Sequence, residues 1–281
     1  MKTFAAISLL VSVALVQAKP LIPTGISTGC SDFLTTLNKD TSFSSFTTPL
    51  VAATSQFVGN TTTPSAATLK ASLTTLCNIN APVSALRSKL GNFYSACQAE
   101  LTTTPNQDVI AIYDVVYIAA PLQQAVCSKT DSGDFCVGQI DTKVDPVDLY
   151  TSDASSGQVV LTPNTQTFLN NNIAFLLYTK DTPKATLCTP CVRSALTSFV
   201  SWESSTPYAP GLKQSTILAN QPDFYTHVQD TCGSSFMQGA VQAAGELSGG
   251  ILSGAPRTVS AATGGISIVL GAITAAMVAT L

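Results

Sequence analysis

Residues 108–127 read DVIAIYDVVYIAAPLQQAVC, and this stretch decides the fold. It is apolar nearly all round, with Val109, Ile110, Ile112, Tyr113, Val116 and Tyr117 spread over every side. A helix with no wet face belongs in a core. Its β-branched residues would also suit a strand, but the length decides for helix. Pro121 is expected to kink or end it, because proline has no N–H to donate to the preceding turn. Asp114 is the one acid inside the run after its first residue. It is either a site carboxylate or a group held by hydrogen bonds; the second is expected, since a buried charge needs partners.

The flanking segments carry helical periods. Before the central stretch, Val83, Leu86, Leu90, Phe93, Cys97 and Leu101 recur at steps of three and four, with Arg87, Lys89 and Asn92 on the wet side. Shorter helices are expected over 30–37, over 46–58 and after Thr63-Pro64, where threonine suits the cap and proline the first turn. Residues 128–156 are the least regular. Asp131-Ser132-Gly133-Asp134 reads as a turn, and Asp141, Asp145, Asp148 and Asp153 as a solvated acidic loop, since their spacing does not fit the EF-hand pattern. A short strand is expected at 159–161. Helix resumes from Thr167 through Leu177, again from Cys188 to Trp202, and again from Ile217 to Cys232, with an interruption at Pro222 and a cap at Gly233. The fold class is therefore all-α, mainly helical, in one disulfide-linked domain with irregular loops.

The two ends carry processing signals. Lys2 precedes an apolar run that closes on Val16-Gln17-Ala18, so residues 1–18 read as a secretory signal peptide. At the other end Ser253-Gly254-Ala255, a polar or small spacer and the apolar run 266–281 form a glycolipid (GPI) anchor signal. A retained transmembrane helix is the weaker reading, because the run is short of about 20 residues and no Lys or Arg follows it. Ser253 is the expected attachment residue, with Gly254 and Ser248 as alternatives. The expected organisation is a helical domain over 19–244, a Gly/Ser stalk over 245–253 and a propeptide over 254–281 that is removed. These signals place the chain on the extracellular face of the plasma membrane or in the cell wall. Its expected partner is the outer leaflet through the anchor, with cell-wall polysaccharide as a second.

Charge excludes one class of partner. Without Lys2 and Arg257 the 13 basic residues fall to 11, against 16 acidic ones, a net charge of about −5. Nothing here suits nucleic acid. Asn60-Thr61-Thr62 is the one glycosylation sequon. The eight cysteines, Cys30, Cys77, Cys97, Cys127, Cys136, Cys188, Cys191 and Cys232, are expected to form four disulfides in an oxidising compartment. Connectivity stays open: Cys127 and Cys136 flank a turn and suit a local bridge, while Cys188 and Cys191 lie on one helix face and suit separate partners such as Cys232.

Candidate chemistry is sparse. Gly25-Ile26-Ser27-Thr28-Gly29 matches the nucleophile-elbow pattern, yet no apolar strand precedes it, as that motif requires. Ser27, Asp114 and the single histidine, His227, follow a hydrolase order that many triplets would share. Cys188-Thr189-Pro190-Cys191 has redox spacing but no parallel βαβ context. No catalytic residue, cofactor or metal site is expected.

The order of Cys97 in a helix, the motif from Cys127-Ser128-Lys129 to Gly133-Asp134-Phe135-Cys136, the Cys188-x-x-Cys191 pair and Cys232-Gly233 resembles a family of fungal secreted proteins that carry a domain of unknown function. The resemblance covers about residues 30–232. It implies a helical disulfide domain, often GPI-anchored, with no established activity. It also leaves the partner of Cys30 open, since members carry more cysteines near the start. The expected function is thus a non-enzymatic surface protein of structural or adhesive role. The alternatives are a helical domain binding a lipid or other small apolar ligand, and a serine hydrolase.

Overall fold

The central run is a single helix enclosed by the others. In the computed structural model, which describes residues 22–38, 40, 66–140, 150–153 and 160–237, the first helices are α1 (Thr28–Asn38), α2 (Ala66–Cys77), α3 (Val83–Ala96) and α4 (Gln107–Val126). A π-helical turn, Ala99–Thr103, joins α3 to α4. After α4 come a 3-10 turn (Cys136–Gln139), a ribbon of β1 (Tyr150–Asp153) against β2 (Val160–Pro163), α5 (Thr165–Asn170) and a 3-10 turn (Ile173–Phe175). The chain then forms α6 (Lys184–Leu187), α7 (Pro190–Ser205), a 3-10 turn (Leu212–Gln214) and α8 (Gln221–Cys232). The ribbon is antiparallel, Tyr150 opposite Pro163 and Asp153 opposite Val160. Mainly helical architecture is as the sequence indicates.

Helix α4 starts where Asn106 Oδ1 accepts the N–H groups of Asp108 and Val109, both at 3.1 Å. That side chain satisfies two donors the first turn would leave orphaned. Among the described residues α4 is the one helix long and apolar enough to cross a membrane, but 83% of its apolar window is buried inside the fold. It packs chiefly against α7, with α2, α3 and the Ile173–Phe175 turn completing its surround. Pro121 does not end it; the helix continues to Val126. One lost hydrogen bond is outweighed because residues on both sides of Pro121 are buried and Cys127, next after the helix, is bridged to Cys77.

All eight cysteines are paired, which the even count predicts: Cys30–Cys97, Cys77–Cys127, Cys136–Cys191 and Cys188–Cys232. The local Cys127–Cys136 bridge is therefore corrected. The turn between them closes without a disulfide: the Thr130 N–H donates to the Asp134 carbonyl at 2.8 Å, the Gly133 N–H donates to the Thr130 carbonyl at 2.9 Å, and Gly133 takes φ 86°, where glycine has no side chain to strain. Cys188 and Cys191 do take separate partners, Cys232 among them.

Helix readings change at several ends: the helix expected from Cys188 begins at Pro190, so Cys188 and Cys191 do not share one helix face, and the period expected to run to Leu101 leaves the α-helix at Ala96. From Thr167 to Leu177 the chain is not one helix but α5 followed by a 3-10 turn. Asn172, Leu176 and Leu177 adopt positive φ of 49°, 55° and 66°. Such backbone costs on the order of 1–3 kcal/mol per residue. Burial of Leu176 and Leu177, with exposures of 0% and 3%, offsets it. Helix α8 begins at Gln221 rather than Ile217, with Pro222 in its first turn, and Gly233 ends it at φ 92°. The proposed helix over 46–58, Asn60, Asp141, Asp145, Asp148, Ser253, residues 1–18 and residues 245–281 lie outside the described residues, as does the side chain of Asp153.

Candidate functional site

Asp114 is fully buried, and every bond it receives from the described residues comes from one loop between α7 and α8. Tyr208 donates its hydroxyl to Oδ1 at 2.6 Å and Ser215 donates to the same oxygen at 2.8 Å. The Thr216 N–H and hydroxyl donate to Oδ2 at 2.6 and 2.7 Å. Burial pushes the carboxyl up to about 6, and these four bonds hold it from going higher. Ser215 Oγ also accepts the N–H groups of Ile217 and Leu218 at 3.1 and 2.7 Å, so the loop is knitted around the acid. Tyr208 stands edge-on to Tyr113 and Tyr117, with ring centroids 5.4 and 5.0 Å away. Tyr117 donates its hydroxyl to the Thr206 carbonyl at 2.6 Å. With four donors on two oxygens and no exposure, Asp114 is an anchoring group, as expected, with no face left for a substrate.

A second buried acid sits on α7. Glu203, 2% exposed, receives Gln221 Nε2 on both carboxyl oxygens at 2.5 and 2.7 Å. Burial pushes this carboxyl up to about 8, opposed only in part by Gln221. The pair ties the last turn of α7 to the first of α8. Glu203 follows Leu196, Phe199 and Val200 at helical steps, so its place on the buried stripe is visible in the sequence even though its partner is not. Tyr208, Ser215 and Thr216 carry no such local signal.

The hydrolase triplet is not assembled. Ser27 caps α1, its hydroxyl facing the Cys30 N–H at 3.4 Å and its own N–H donating to Glu100 Oε1 at 2.6 Å. Burial opposes charge on Glu100, but the bonds from Ser27 outweigh it and hold the carboxyl below its usual range. The π-helical turn places Glu100 there. Asp114 is occupied as described, and His227 on α8 faces Thr231 at 3.5 Å. No hydrogen bond joins Ser27, Asp114 and His227. Cys30 and Cys97 lie within metal-ligand spacing of Glu100, but their sulfurs are bonded to each other and are not thiolates. Cys188 and Cys191, each in a different bridge, are no redox pair.

The described residues also form a surface cleft. A partly open cleft of about 830 Å³ lies between the turn after α4, the segment leading into α6 and the start of α7. Thr130, Asp131 and Ser132 form one wall; Thr179, Asp181 and Thr182 form another. Leu177, Ile140 and Cys191 lie at its buried side. No residue of α4 lines it. Compared with protein-family models, with curated proteins and with solved structures, the chain matches none.

Proposed function

We propose that this chain is a non-enzymatic cell-surface or cell-wall protein of structural or adhesive role, displayed on the outer leaflet through a glycolipid attached near Ser253. The observation that carries the non-enzymatic half is that the described candidate groups are engaged in architecture. All eight cysteines are in bridges, Asp114 is saturated by donors, Glu203 is paired with Gln221, and Ser27 and His227 are not in contact. Bridges that close loops of 67, 50, 55 and 44 residues suit a protein kept for long periods in an oxidising exterior. The display half rests on the signal peptide at 1–18 and the small-residue, spacer and apolar-tail order at 253–281. Likeness to the fungal secreted domain points the same way. The apolar-ligand alternative draws no support from α4, which is enclosed by its neighbours and does not reach the cleft.

Intact cells bearing the protein are treated with a phosphatidylinositol-specific phospholipase and, in parallel, with nitrous acid, which cleaves the anchor glycan itself. Release by either treatment is expected. Retention through both overturns the anchor.

A further inference from the structure

We infer that the cleft between the turn at 130–132 and the segment 179–190 binds an uncharged oligosaccharide. The inference rests on the adhesive half of the reading above and is independent of the anchor. Its volume, about 830 Å³, lies in the range of small-ligand sites and admits more than one sugar ring. The chemistry of its walls selects the class. Among the described residues no Lys or Arg lines it, while Asp131 and Asp181 do, so an anionic ligand would meet like charge there.

Both carboxylates are exposed and accept no hydrogen bond from the described residues, which leaves them able to accept from ligand hydroxyls. Thr182 Oγ1 accepts the Thr179 N–H at 2.9 Å, and Thr179 Oγ1 accepts the Asp181 N–H at 3.3 Å. Each hydroxyl therefore keeps its hydrogen to donate. A wall that both accepts and donates matches a polyol, whose hydroxyls do the same. The rings of Pro183 and Pro190 are exposed at the edge and offer the C–H surface on which a sugar face can rest. The walls are held in place before any ligand arrives. Cys136–Cys191 fastens the segment after the turn to α7, and Cys188–Cys232 fastens the end of α6 to α8. A site fixed in advance loses less entropy on binding.

The test uses the intact protein, solubilised in detergent, with laminarihexaose and chitohexaose as neutral probes and an oligogalacturonate hexamer as the anionic control. Binding is followed by saturation-transfer NMR and titration calorimetry. Saturable binding of at least one neutral hexamer is expected, with none of the anionic one. Asp131→Asn together with Asp181→Asn should weaken it by about tenfold or more, since bonds to a charged acceptor become bonds to a neutral one. Ala185→Arg, an exposed position that fills the cleft, should abolish it. Unchanged urea midpoints certify that both variants fold. The inference is overturned if no neutral hexamer binds, if the anionic one binds equally, or if both variants bind as the parent does. None of these outcomes bears on release by phospholipase.

Discussion

Tyr208 donates its hydroxyl to Asp114 at 2.6 Å across 94 residues of chain. That bond crosses a line no disulfide crosses. Two bridges, Cys30–Cys97 and Cys77–Cys127, interlock the chain up to the end of α4. The other two, Cys136–Cys191 and Cys188–Cys232, interlock the chain from the 3-10 turn to the end of α8. The two stapled halves meet through the α4–α7 packing and through contacts such as the Asp114 cluster, Tyr117 to Thr206, and Arg87 to Ser205 and Thr206. Asp114 is thus a noncovalent counterpart of the bridges.

Asp114→Ala should lower unfolding stability by about 3–5 kcal/mol, because it leaves the buried hydroxyls of Tyr208 and Ser215 and the half-buried donors of Thr216 without their acceptor. Tyr208→Phe removes one donor and should cost about 1–3 kcal/mol. Urea unfolding with the bridges intact measures both. Losses below about 0.5 kcal/mol for Asp114→Ala would contradict the anchoring role.

Stability should fall as pH rises from about 4 to about 8. Glu203 and Asp114 have folded pKa values raised to about 8 and about 6, above their ordinary 4.5 and 3.8. The folded state therefore keeps protons that the unfolded state has released. The Asp114 contribution is lost between about 4 and 6, and that of Glu203 continues to be lost up to about 8. Glu203→Gln keeps the shape without the titration, so the decline between pH 6 and 8 should flatten. Urea midpoints at stepped pH decide it; an identical slope in parent and variant would remove Glu203 as its source.

Gln123→Leu should destabilise by about 1–3 kcal/mol. Gln123 Nε2 donates to the carbonyls of Leu76 and Ile79 at 3.0 and 2.8 Å, and so satisfies the end of α2 beside the Cys77–Cys127 bridge. Thermal unfolding of the variant is the measurement, and an unchanged midpoint would mean that solvent serves those carbonyls equally well.

The fold was legible wherever one helix buries a continuous stripe. Leu86, Leu90 and Phe93 of α3 are buried as their spacing indicates, and α4 is central because it is apolar on every side. The segment after α5 was not legible. Asn172, Leu176 and Leu177 adopt positive φ for reasons of tertiary packing that no local propensity records. The clasp was half legible. Asp114 stood out as an acid in an apolar helix, but Tyr208, Ser215 and Thr216 lie in a loop whose return to α4 depends on the whole fold. The disulfide pairing illustrates the same limit: proximity in sequence suggested Cys127 with Cys136, whereas the helix ends bring Cys77 to Cys127 and Cys136 to Cys191.

The division into two stapled halves can be tested by one cut. A protease site introduced into the exposed turn Asp131-Ser132-Gly133 is cleaved in the folded protein, which is then run natively and in denaturant without reductant. The two fragments should migrate together natively, held by α4, α7 and the Asp114 clasp. They should part in denaturant with all eight cysteines still oxidised. Fragments that stay covalently joined in denaturant, or a free thiol in either one, would contradict the account.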